Sequence, residues 1–224
     1  MEFNKVSEWF LSVSEKILAV VINSVFSLVL IAPLILVDLF FKSSLLKIPV
    51  LFIPLSALYA MAIKCTVYAY YMIFVKQKLY YKAYFFQSLK ENFAMCYIYY
   101  LISIGLLYIG LSSTWILIHN VSQWFWVLYV FLVLFILTNM IYTTLQFALY
   151  ENNKLDSIVK NSMILSFMFA VISVAMTIIL AWMIYKIQYI PFKIIFLGMP
   201  AYAGLILMVH LLIDRQGLSD SEMR

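Results

Sequence analysis

The chain has 224 residues, 66% of them apolar and only 11% charged, with a formal net charge of +5. A soluble domain is nearer half apolar and a quarter charged, and a chain of this size has too little interior to hide the excess from water. A water-soluble fold and a separate soluble domain are therefore excluded, and the solvent must be lipid.

The basic residues lie between apolar runs rather than in one patch, which points to anionic leaflets and away from nucleic acid. At the N-terminus Glu2, Lys5, Glu8, Glu15 and Lys16 precede an apolar run too long for a signal-peptide core, so no cleaved leader is expected. Phe3, Val6, Phe10, Val13 and Ile17 recur at helix-face spacing, with Trp9 as an anchor. That pattern predicts an N-terminal interfacial helix feeding the first span.

Six spans are predicted, near residues 17–37, 48–75, 94–118, 124–150, 163–185 and 192–213. Each is near or above the ~20 helical residues that cross ~30 Å of hydrocarbon. The runs are continuous, whereas barrel strands would be ~10-residue alternating segments. The expected fold is an all-α polytopic transmembrane bundle forming a single membrane domain, 1–224. With the N-terminus cytoplasmic, ten Lys and Arg fall on the cytoplasmic side and only Lys42, Lys47, Lys186 and Lys193 outside. This asymmetry predicts a multi-pass protein of the cell membrane with both termini cytoplasmic.

In the second span, Lys64 is the only ionisable residue well inside an apolar run. It either has an acidic or carbonyl partner or snorkels to the cytoplasmic surface. Asp38, near the outer end of the first span, reads as solvated. Cys65 and Cys96 have no metal-like spacing and read as small buried hydrophobes.

The stretch KLYYKAYFFQSLKENF, residues 78–93, is predicted to be an amphipathic cytoplasmic connector. Leu79, Phe85, Phe86, Leu89 and Phe93 share one side of a helical wheel, while Gln87, Lys90 and Glu91 fall elsewhere and Lys82 must snorkel. Two readings stand: a helix lying flat at the inner leaflet, or a docking surface for a partner through Phe86, Lys90 and Asn92. A related pattern introduces the fifth span. Ser88, Leu89 and Asn92 align with Ser157, Ile158 and Asn161, a weak sign of an internal repeat.

The fourth span carries a polar stripe at Asn139, Thr143 and Gln146, adjoined by Tyr142 and Tyr150. Such a face turns from lipid toward other helices, as interhelical glue or as part of a substrate path. In the last span Pro200 is expected to introduce a kink, and Gly198, Ala201 and Gly204 permit close helix approach. His210 and Asp214 sit one turn apart, but two ligands do not make a metal site. No Walker loop, ligand cluster or nucleophilic triad is found, so neither enzymatic activity nor a cofactor is expected.

FFQSLKENF, residues 85–93, resembles the signature of the YesL-type family of small bacterial membrane proteins, with an aromatic pair before Lys90, Asn92 and Phe93. PLSALYAMAIK, residues 54–64, is similar to that family's Pro-small-small-Ala-Leu-Tyr segment ending in a basic residue. Asn23 and IVKNSMIL, residues 158–165, also have counterparts in its pattern. The resemblance implies a protein accessory to carbohydrate uptake by importers of the ATP-binding-cassette type, or to the cell envelope. A small transporter or permease-like subunit that itself carries solute is the alternative.

Overall fold

In lipid an apolar chain must satisfy its backbone hydrogen bonds internally, and a helix does so within one segment. The computed structural model describes residues 2–41, 47–78, 81–149, 154–175, 178 and 199–215, and all regular structure among them is helical. The helices are α1 (Glu2–Phe41), α2 (Pro49–Tyr70, continued by a π-helical turn over Tyr71–Val75), α3 (Tyr81–Lys90) and α4 (Phe93–Asn120). They continue with α5 (Phe125–Leu149), α6 (Leu155–Met168) and α7 (Met199–Arg215).

Four helical segments among the described residues are long and apolar enough to cross a membrane: Leu11–Val37, Pro49–Val75, Phe93–Asn120 and Phe125–Leu149. These match the first four predicted spans to within a few residues, apart from the earlier start of the first. The N-terminal segment runs into the first span as one unbroken helix. Pro49 opens α2 at a position where its missing N–H costs nothing.

The later part of the chain differs from expectation. α6 begins at Leu155, eight residues before the predicted fifth span, and breaks at Phe169 before helix resumes over residues 170–175. Residues 176, 177 and 179–185 of that span and 192–198 of the sixth lie outside the described residues. The described part of the sixth is α7, with Pro200 in its first turn.

α2 is the central helix. Half of its most apolar window is buried, against 17% to 22% in the other three spans. Its small residues Ala57, Ala60, Ala62 and Ala69 let neighbouring helices approach closely. One apolar cluster joins Ala62, Val67 and Tyr70 to Ile31 of α1, Leu145 of α5 and Ile206 of α7. The other joins Ala57 and Met61 to Tyr100 and Ile104 of α4, Phe147 of α5 and Ile158 of α6. At Gly110 α4 and α5 approach closely, since a Cβ there would lie 3.1 Å from the Leu132 side chain.

The connector does not lie apart from the bundle. α3 runs back along α2: Tyr84 meets Tyr68, with ring centroids 6.4 Å apart, and one turn further along each helix Ser88 meets Lys64. Phe85 is 1% exposed and lies, with Phe86, against the ring of Phe26 in α1. Of the predicted apolar side, Phe85 is buried and Leu89 half-buried, whereas Phe86 and Phe93 stay 46% and 41% exposed. Packing on two spans buries more apolar area than a leaflet surface alone offers, which explains the docked position. Leu79 and the side chain of Lys82 lie outside the described residues.

The suggested repeat does not extend to structure. Asn92 sits in a left-handed break between two helices, whereas Asn161 lies inside α6. Ser88 is buried, whereas Ser157 is exposed.

Candidate functional site

Lys64 is placed by the packing of α1 on α2. The hydroxyls of Ser27 and Thr66 lie 2.8 Å apart and set the register of these two helices. The lysine side chain is 1% exposed, and its ammonium donates to the backbone carbonyls of Ser88, at 2.6 Å, and Glu91, at 3.0 Å. Lys64 is thus paired rather than snorkelling, and its partners are carbonyls rather than carboxylates.

The reason lies in the break between α3 and α4. A helix end leaves its last carbonyls without intrahelical partners and carries a partial negative charge. Asn92, at φ 52° and ψ 31°, turns the chain through the left-handed region before α4 starts at Phe93. Asparagine is among the few residues that tolerate that region. Carbonyls freed at such a break, packed against a span, need a donor from the protein where water is excluded. Lys64 supplies that donor, and the carbonyls in turn solvate its charge.

The corner so formed has an outward side. Lys90 and Asn92 are exposed beside Phe86 and Phe93. Phe93 stacks on Tyr97 at 5.9 Å, and Gln87 Nε2 donates to Glu91 Oε1 at 2.9 Å. The three docking candidates Phe86, Lys90 and Asn92 are therefore accessible together.

The polar stripe of α5 faces inward, with Asn139 8% exposed and Thr143 and Gln146 both at 0%. The Tyr99 hydroxyl of α4 donates to Asn139 Oδ1 at 2.9 Å and lies 2.9 Å from Thr143 Oγ1. One residue on, Tyr100 donates to Thr144 Oγ1 at 2.9 Å. Tyr142, on another side of α5, pairs with the Ser173 hydroxyl at 2.7 Å. Asn139 and Thr143 thus share one network, and the buried lysine is tied to a different helix end. Tyr150 lies outside the described residues.

No family model matches the chain, and no curated protein or solved structure is significantly similar to it.

The residues that sequence reasoning missed are Tyr99, Tyr100 and the main-chain carbonyls of Ser88 and Glu91. Adjacent tyrosines make no helical stripe, and both lie near the start of α4, where a tyrosine reads as an ordinary interfacial residue. Carbonyl acceptors have no signature in side-chain sequence. His210 is 6% exposed, with its ring edge-on to Tyr71 at 5.5 Å, and Lys76 lies 5.6 Å from the other partner in this group, the Tyr71 ring. Among the described residues no three His, Cys, Asp or Glu side chains gather as metal ligands. The arrangement as a whole can hold helices in register and present a surface.

Proposed function

We propose that the chain is a non-enzymatic, six-span protein of the bacterial cell membrane with both termini cytoplasmic. It acts as an accessory to carbohydrate uptake, on a component of an ATP-binding-cassette importer, or to the cell envelope. The observation that carries this reading is the Lys64-braced corner between α3 and α4. A buried cation holds a helix end in place while Phe86, Lys90 and Asn92 point outward from it. A rigid corner bearing an aromatic ring, a charge and an amide is suited to specific docking, because little side-chain and loop entropy is lost on binding. The family resemblance of residues 85–93 supports the same assignment.

The second reading is a small transporter that carries solute itself. It is favoured by two buried amide atoms, Asn23 Oδ1 and Asn139 Nδ2, which make no hydrogen bond. Against it, the hydroxyls around Asn139 bond to one another and leave little capacity for a solute.

Asn92→Gly is the variant that separates docking from a lipid-facing connector. Glycine keeps the left-handed backbone without strain, whereas alanine would disturb the corner itself. Recovery of partner proteins from native membranes should fall about two- to tenfold with membrane insertion unchanged, the loss of one specific hydrogen bond. Undiminished recovery of every partner would refute docking through Asn92.

A further inference from the structure

The Ser27 and Thr66 hydroxyls, 2.8 Å apart, fix one level at which α1 and α2 meet. These consecutive spans run antiparallel. One turn toward the start of α1 and the end of α2, Asn23 and Ser24 therefore come level with Tyr70. Bonding there is incomplete. Asn23 is fully buried, and its Nδ2 donates to Ala19 O at 2.8 Å, which leaves Oδ1 as an acceptor with no donor. Tyr70 is 4% exposed, and its hydroxyl faces Ser24 outside hydrogen-bonding geometry, a donor with no acceptor. Ser24 spends its own proton on Val20 O at 2.8 Å and keeps its lone pairs. Buried polar groups left in this way are costly, and a shared partner relieves both at once.

We propose that one water molecule binds between α1 and α2 at this level, accepting from the Tyr70 O–H and donating to Asn23 Oδ1 and Ser24 Oγ. Such a water makes the ~3 hydrogen bonds typical of buried waters, and it supplies both the missing donor and the missing acceptor. On the face of α1 that carries the amide, the neighbours one turn either side are small, Ala19 and Ser27, so no bulky side chain of α1 stands against the site. An alkali cation would suit the oxygens but not the charges. α2 has no carboxylate, and α1 has none between Glu15 and Asp38. Buried Lys64 lies ~9 Å away along the same helix, where its charge is little screened. The water gives α1 a second fixed point on the central helix. It also occupies the Asn23 amide, which is then not free to bind a solute.

Hydroxyl-radical footprinting of the purified full chain by X-ray radiolysis, read by mass spectrometry, tests this. Radicals formed from a bound water label the side chain beside it even where bulk water does not reach. Tyr70 should be labelled several-fold faster than Tyr100, which is equally buried but whose hydroxyl donates to Thr144. Asn23→Leu should bring Tyr70 down to the rate of Tyr100. Tyr70→Phe, which removes only the oxygen, should lower the thermal midpoint and shift the folding equilibrium about two- to tenfold toward the unfolded chain, the loss of one hydrogen bond. Labelling of Tyr70 no faster than Tyr100 would overturn the water. So would a Tyr70→Phe midpoint at or above the parent's, because deleting a hydroxyl that has no partner relieves a cost. Fast labelling that persists in folded Asn23→Leu would overturn the bond to Asn23 and point to bulk solvent as the source. The parent's labelling ratio and Tyr70→Phe decide the water even where Asn23→Leu does not fold.

Discussion

Replacing Lys64 with methionine keeps most of the side-chain volume and removes the charge. The two hydrogen bonds to Ser88 O and Glu91 O disappear, and both acceptors lie at the end of one short helix. Bonds from a charged donor contribute ~1.5–3 kcal/mol each, or ~3–6 kcal/mol for the pair. Against this, an uncharged side chain avoids the ~2.5–3.5 kcal/mol cost of a lysine at membrane depth. At the middle of both ranges the loss of the bonds outweighs the relief, leaving Lys64→Met less stable by about 1.5 kcal/mol. The loss should be local, since the orphaned carbonyls belong to α3 and the break after it. Hydrogen–deuterium exchange in detergent should show faster exchange across residues 81–96, with α5 unchanged, together with a modest fall in thermal midpoint. A methionine variant at least as stable as the parent, with α3 equally protected, would refute the view that Lys64 braces this corner.

Replacing Asn139 and Gln146 together with leucine should destabilise the fold in detergent, by ~0.6 kcal/mol for the Tyr99–Asn139 bond alone, seen as a lower thermal midpoint, and leave cellular function intact where folded protein remains. Loss of function in a fully folded double variant would favour the carrier reading. Single cysteines at Asn120 and Asp220, introduced after replacement of the buried Cys65 and Cys96, should label from opposite sides, Asn120 outside and Asp220 inside. Labelling from the same side would remove the six-span topology.

Class and helical architecture were legible in the amino-acid sequence because lipid solvation is a property of composition and run length. Long apolar runs in hydrocarbon have few alternatives to the helix, and four of them appear within a few residues of their expected ends, the start of the first excepted. The inward stripe of Asn139, Thr143 and Gln146 was also visible, since helical periodicity alone puts these residues on one side. Tertiary structure decided the rest. Whether Lys64 is paired or snorkels depends on where α3 docks, and its partners are carbonyl groups present in every residue alike. The docking of α3 against Phe26 and Tyr68 depends on which spans are neighbours, which periodicity within one helix cannot encode. The same holds for Tyr99, whose importance comes from facing Asn139 across forty residues of chain. Local pattern determines what each segment prefers to touch, but only the packed bundle determines which segment is there to be touched.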